Sequence, residues 1–335
     1  MFRLRTGYLI SGLITGILLL FSYVTTLPDG KLHIIFCNVG QGDAVYIRFP
    51  DGKDALIDGG PGNQVLNCLG KHMPFWDRTI DLVILTHPEN DHLGGLVQVL
   101  ERYRTGYFVR SGVFNDSEGY RKLMELVAAK KIAERKVYAG EKIGIGTVNL
   151  SVLWPTRRQI ALMVPPSGNP KPDSDVFGAV APANLNDASV VIRLSYGNFD
   201  ALFPGDADTH VDGDLAYNIP ADPDGLEVLK VPHHGSGTGM TDAIINVLSP
   251  PGEVGNKCNS LVLQSGSEAK RFAADICPLA VISVGKNSYG HPAAEIIGKL
   301  KAKGFRVLRT DESGDIEAIS DGRSWNINTV ESGAN

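Results

Sequence analysis

Six consecutive residues, His87-Pro88-Glu89-Asn90-Asp91-His92, carry four side chains able to ligate a metal. They follow, after Thr86, on Leu82-Val83-Ile84-Leu85, an unbroken apolar run of buried-strand character. The cluster is therefore expected at the C-terminal end of a strand, where α/β folds place their sites. In an extended chain residues two apart face the same way, which sets His87 and Glu89 on one cation. Asp91 and His92, on the turn into the helix that follows, reach a second. A solvated turn would also accommodate these polar groups, but it gives no reason for histidine at both ends.

Other segments repeat the theme. Of the eight histidines, five fall in three short segments: the one above, His233-His234, and His291. His33, His72 and His210 read as surface or satisfied histidines. Asp206, in Phe203-Pro204-Gly205-Asp206, ends an apolar strand, and a carboxylate with two oxygens suits a bridge between two cations. Two divalent ions, zinc or manganese, would hold a hydroxide at neutral pH, because metal binding lowers the pKa of water to about 7. That hydroxide is the expected nucleophile, with Asp91, His234 and His291 nearest the reacting atoms. His291 is expected to open a helix, where ring nitrogens and helix amides meet an anionic oxygen. Lys230 and Ser236 stand to join it on a phosphoryl group, although Lys230 reads equally as a solvated surface lysine.

The elements that must position these groups are short apolar runs ended by turn residues. LHIIFCNVG, AVYIRFP and KDALIDGGPG form a β-meander from Lys31. GLVQVLERY and the stretch Ser117 to Ile132 have helical spacing, and KVYAGEKIGIGTVNLSVLWP returns to strands. Pro155 to Asn186 has no periodicity and reads as a long surface loop. SVVIRLSYGNFDALFPGD reads as a hairpin about Gly197-Asn198, and GLEVLKVPHHGS and LAVISVG as further strands. AAEIIGKLKAKG is a helix closed by Gly304, and RVLRT and DIEAIS are strands split by Glu312-Ser313-Gly314. Buried strands alternating with helices in both halves predict an α/β fold, an αββα sandwich of two mixed sheets with outer helices. It would occupy residues 29–322 as one domain, with 323–335 as a tail.

At 335 residues, 43% hydrophobic and 21% charged, the chain is globular and able to bury a large core. Lys plus Arg total 32 against 37 Asp plus Glu, and setting aside Arg3 and Arg5 with the first 24 residues leaves 30 against 37, a net charge of −7. That balance excludes a bulk nucleic-acid binder but not a local basic groove. Arg3 and Arg5 precede an uncharged run from Thr6 to Leu27, so residues 1–28 read as a signal or membrane anchor. The body is then expected outside the cytoplasm, anchored to the membrane or secreted. Cys37, Cys68, Cys258 and Cys277 form no C-x-x-C pattern. Cys258 and Cys277 are spaced to close a loop, while Cys37 reads as readily as a buried thiol in its apolar strand.

Taken in order, these segments resemble the metallo-β-lactamase superfamily, whose signature is H-x-H-x-D-H followed by further His, Asp and His ligands. Within it they are most similar to the nuclease-like domain of ComEC-type competence proteins, through NVGQGDA (Asn38 to Ala44), LIDGG (Leu56 to Gly60), THPENDHLGG (Thr86 to Gly95), KVPHHGS (Lys230 to Ser236) and NSYGHP (Asn287 to Pro292). The resemblance covers Lys31 to about Ser320 and has no counterpart of the polytopic channel region. It implies His87 and Glu89 on metal one, Asp91 and His92 on metal two, Asp206 bridging, and either His233 or His234, preferably His234, completing metal two. Asn186 or Asp187 would complete metal one, and Asp58 would orient the ligand loop. Glu89 stands where the common motif has histidine, which hardens the ligand set towards manganese. The stretch from Ser249 to Ile276 is longer than such relatives usually have.

Hydrolysis of a phosphodiester, in nucleic acid such as DNA or in a phosphate-linked envelope component, is the leading expectation. Hydrolysis of a β-lactam or another amide or ester is the rival enzyme reading. A metal-poor binding or scaffold protein is the rival outside catalysis.

Overall fold

The computed structural model describes residues 6–25, 27–163, 184–219, 225–249, 258 and 277–330. Its strands are β1 (Leu32–Phe36), β2 (Val45–Arg48), β3 (Asp54–Ile57), β4 (Thr79–Leu85), β5 (Arg104–Arg110), β6 (Ala133–Lys136), β7 (Lys142–Ile145), β8 (Val148–Trp154), β9 (Val191–Tyr196), β10 (Phe199–Phe203), β11 (Val228–Lys230), β12 (Leu279–Ile282), β13 (Arg306–Arg309), β14 (Asp315–Ser320) and β15 (Trp325–Val330). Its helices are α1 (Thr6–Thr25), α2 (Gln64–His72), α3 (Asn90–Arg102), α4 (Glu118–Ala129), α5 (Arg157–Met163), α6 (Asp212–Asn218), α7 (Asp242–Leu248), α8 (Ala294–Ala302) and α9 (Thr310–Ser313).

Two sheets form, in the orders β15-β14-β1-β2-β3-β4-β5-β6 and β13-β12-β11-β10-β9-β8-β7. Each is mixed: β3 to β6 run parallel in the first and β10 to β13 in the second, with antiparallel pairs beyond. Period-two alternation sorts the side chains into layers. Leu32, Ile34 and Phe36 of β1 meet Ile192, Leu194 and Phe203 between the sheets. Ile35 points the other way, into a layer with Leu69 of α2, Leu96 of α3 and Leu123 of α4. Leu202, Leu229 and Ile282 face Leu215 of α6, Ile244 of α7 and Leu300 of α8 on the outer side of the second sheet. The result is the αββα sandwich expected, and it places the C-terminal ends of β3, β4, β10, β11 and β12 around one cleft.

Some elements differ from expectation. β15 pairs along the whole of β14, so sheet structure reaches Val330 where a tail was expected from residue 323. β13 and β14 lie in different sheets, with α9 between them. The Pro155 to Asn186 stretch opens with α5, and residues 164–183 lie outside the described residues. Most of Ser249 to Ile276 also lies outside them. Cys37 is bonded to Cys68, and Cys258 to Cys277, so the reading of Cys37 as a free thiol is corrected. The first bond ties the end of β1 to α2, which the packing of that helix on the sheet brings together. α1 exposes Leu9, Ile10, Leu13, Ile17 and Leu20 to solvent. Among the described residues, no helix is long and apolar enough to cross a membrane.

Candidate metal centre

The loop after β4 turns into α3 at Asn90, which puts Asp91 and His92 on the helix's first turn, while Glu89 is the extended residue before it. The helix thus begins about one turn before the GLVQVLERY stretch read from the sequence. His87 and His92 are fully buried, their rings 4.1 Å apart. Gly42 permits the loop after β1 to close on this turn, since a Cβ there would stand 2.4 Å from the Asp91 carbonyl oxygen. Asp43, the next residue, donates its N–H to that oxygen at 3.1 Å and sends its carboxylate into the cleft.

The outer nitrogens of three histidine rings are held from behind. His92 Nδ1 donates to Asp58 Oδ2 at 2.8 Å, and His234 Nδ1 to the Ser283 carbonyl at 3.0 Å. His87 Nδ1 faces Thr86 Oγ1 at 3.2 Å, and because the threonine hydroxyl donates to Asp58 at 2.7 Å, the ring nitrogen is the donor to it. Each proton on Nδ1 leaves Nε2 with a lone pair directed inwards, the tautomer a metal ligand needs. His87 Nε2 and His92 Nε2 are buried without any hydrogen-bond partner. Uncompensated burial of such atoms is costly, so the cleft fits a cation.

Around those nitrogens stand the carboxylates. Ligand atoms of Asp91, His92, Asp206 and His234 all lie within 4.8 Å of one another. Asp206 Oδ2 is 3.3 Å from both His92 Nε2 and His234 Nε2, and Asp91 Oδ2 is 3.2 Å from the latter. Glu89 Oε2 is 3.9 Å from His87 Nε2. Burial works to raise the Asp206 pKa, but the charges of His234, His92 and Lys230 outweigh it and hold the carboxyl well below its usual range. Burial opposes charge on His92 and His234 too, yet without a cation Asp206 with Asp58 and with Asp43, respectively, raises both rings well above the usual imidazole range, so a metal taking their Nε2 atoms would displace a proton from each. His87 goes the other way, to about 3, through burial and the neighbouring His92 charge.

His233 and His234 both adopt left-handed backbone, φ 49° and 51°, which splays their rings apart. His234 joins the carboxylate cluster, whereas His233 turns to Asp208, 3.7 Å from Nδ1. The structure separates Asp187 from the cluster: its carboxylate accepts from Asn184 Nδ2 at 3.1 Å and lies 3.6 Å from His210 Nδ1. Asn186 beside it is buried, with Oδ1 unpartnered.

Lys230 is neither a surface lysine nor free for a phosphoryl group. It is 2% exposed, and its ammonium donates to the Gly205 carbonyl at 3.0 Å and to Asp206 Oδ1 at 3.4 Å, and pairs with Asp43. Three donors meet three acceptors. Ser236 is buried, its hydroxyl engaged with that of Thr238, 3.1 Å away. His291 is half-buried at the mouth, its ring 5.6 Å from that of His233; α8 begins only at Ala294, so His291 precedes the helix rather than opening it. Sequence reasoning assigned no role to Asp43; its signal was the position after Gly42, where the chain can approach another backbone.

A family model described as "Metallo-beta-lactamase superfamily" matches residues 37–254. ComE operon protein 3 of Bacillus subtilis (strain 168) is 26% identical over 325 residues, covering 90% of this chain and 34% of the relative. Competence protein ComA of Neisseria gonorrhoeae is 24% identical over 320 residues, covering 90% and 35%. The chain thus spans about a third of the length of these relatives. Among solved structures, the metallo-beta-lactamase fold protein YhfI from Bacillus subtilis aligns over 86% of this chain and 99% of its own, with 11% identity and a TM-score of 0.45. With the family model covering more than half its length, and two competence proteins of the kind its motifs resemble among its relatives, the chain belongs to the metallo-beta-lactamase superfamily.

Proposed function

We propose that this protein is a two-metal hydrolase of phosphodiester bonds. The observation that carries the reading is the convergence of the Nε2 atoms of His92 and His234, each oriented by a partner on Nδ1, with the carboxylates of Asp91 and Asp206, while the similarly oriented His87 ring lies 4.1 Å from that of His92. His87 and Glu89 would hold one divalent ion, with the unpartnered Oδ1 of Asn186 a candidate to join them, and Asp91, His92, His234 and Asp206 would hold the other, Asp206 being the carboxylate suited to serve both. Such a pair supplies an activated water and neutralises the attacking and leaving oxygens of an in-line displacement. Glu89 contributes an oxygen ligand, which favours manganese over zinc.

The chain's own residues do the rest. Lys230 fixes Asp206 Oδ1 from behind, which leaves Oδ2 directed towards His92 and His234. Burial and the charge of His233 lower the His291 pKa from its usual range, and the ring stands at the mouth beside His233, where it can meet a substrate oxygen. A phosphodiester gains more from two cations than an amide does, because charge sits on both reacting oxygens. A panel of bis(p-nitrophenyl) phosphate, p-nitrophenyl phosphate and nitrocefin, each with manganese, magnesium or zinc, tests the class. The diester with manganese should turn over fastest; hydrolysis of the lactam alone would assign the site to amide chemistry.

The same proposal puts the body outside the cytoplasm, exported by residues 1–28 as a signal or anchor. Two disulfides support it, since such bonds persist in oxidising compartments.

A further inference from the structure

Outside the carboxylate cluster, the loop after β12 carries an arrangement that hydrolysis alone does not use. From His234 the rings step outward: His233 at 6.3 Å, His291 at 5.6 Å from His233, and Tyr289 stacked on His291 at 5.9 Å with 24° between planes. Tyr289 ends the series and is 74% exposed. A large ring left in water on a pliable loop would carry no meaning, but this loop is pinned. Asn287 Oδ1 accepts from the N–H of Tyr289 and of His291, both at 3.1 Å, and its Nδ2 donates to the carbonyls of Gly285 at 2.9 Å and His291 at 2.8 Å. One side chain therefore fixes both ends of the segment that presents the tyrosine, so the ring is displayed with little ordering entropy left to lose.

From this geometry we infer that Tyr289 is the stacking platform for a nucleobase next to the scissile phosphate, which makes the substrate a single-stranded nucleic acid. This rests on the phosphodiesterase reading and names its substrate class. An exposed aromatic face beside a phosphate site is how proteins hold unpaired bases without reading sequence. Lys286 is exposed on the same loop and suits the neighbouring backbone phosphate. The rival occupant, a phosphocholine group, fits less well: quaternary ammonium is held in cages of several rings, whereas one open ring face and a lysine on the same loop offer it neither enclosure nor a favourable charge.

The test measures binding of manganese-loaded protein to fluorescent octamers with hydrolysis-resistant phosphorothioate backbones. One octamer is oligo-dT and the other is abasic throughout. The wild type should prefer the base-bearing octamer by on the order of tenfold. Tyr289→Ala should lose that preference while keeping the wild-type melting temperature, and Tyr289→Phe should retain it. Equal affinity of the wild type for both octamers, an undiminished preference in Tyr289→Ala, or competition by phosphocholine but not by thymidine monophosphate would overturn the inference. Hydrolysis of bis(p-nitrophenyl) phosphate by the same preparations separates the two readings. Its absence in the wild type removes the catalytic reading, and the octamer preference still decides the platform.

Discussion

Asp58 Oδ2 accepts the Nδ1 proton of His92 at 2.8 Å and so aims the opposite nitrogen of that ring into the cleft. Asp58 also takes the N–H and hydroxyl of Thr86, at 2.8 and 2.7 Å, and is itself in left-handed backbone with φ 59°. One buried carboxylate thereby sets the orientation of the ligand loop and the tautomers of two histidines. Partners of this kind are worth about 10- to 100-fold in metal affinity. Asp58→Ala should weaken manganese binding by that factor in calorimetric titration while Glu89, Asp91 and Asp206 remain in place. Unchanged affinity would show that the ring needs no such support.

Lys230 and Asp43 form a buried pair inside the same cluster. Removing one partner of such a pair leaves an uncompensated charge and costs about 3–5 kcal/mol, whereas replacing both costs far less. Lys230→Met should therefore lower stability in chemical denaturation of the metal-free protein, and Asp43→Asn in the same chain should restore most of it. A double variant no more stable than Lys230→Met alone would show that the two groups are not coupled.

Away from the cleft, Asp54 is buried between Tyr46 and Asp81: its Oδ2 accepts from the tyrosine hydroxyl at 3.1 Å and its Oδ1 from the Asp81 N–H at 3.2 Å. Burial pushes its pKa up to about 7. Because the folded state holds this proton more tightly than the unfolded one, the group's contribution is fullest below pH 4 and is lost as pH rises towards 7, by at most about 1.4 kcal/mol per unit. Thermal stability of the wild type should fall between pH 5 and 8 more steeply than that of Asp54→Asn. Parallel profiles would remove Asp54 as the source.

The proposed location is tested by fusing alkaline phosphatase, active only outside the cytoplasm, after Asn335. Activity that depends on residues 1–28 is expected. An inactive alkaline phosphatase fusion, alongside an active β-galactosidase fusion at the same position, would refute export.

What was legible in the sequence follows from where local pattern and tertiary structure agree. The Leu82 to Leu85 run is buried on both faces and ends at His87, so strand and ligand cluster were read together. LHIIF was legible only as a strand of the meander; because Ile34, Ile35 and Phe36 are all apolar, the split that sends Leu32, Ile34 and Phe36 between the sheets and Ile35 towards the helices was not. Lys230 was not legible: β11 is buried on both sides, so the period carries no direction and a lysine at its end looks solvated. The Cys37–Cys68 bond depends on α2 docking against β1, which brings together cysteines 31 residues apart. Between His233 and His234 the resemblance preferred His234, and their left-handed backbone sends His234 to Asp206 and His233 to Asp208.

The most direct test of the metal centre is the metal content of protein purified without chelator, dialysed against manganese and then against metal-free buffer, and measured by mass spectrometry of the elements. The wild type should retain two divalent ions per chain. Asp206→Ala should lose both, and His72→Ala, whose ring only pairs with Asp315 at 3.4 Å, should match the wild type. Equal metal in the wild type and Asp206→Ala, or none in either, would contradict the assignment of this cleft as a two-metal site.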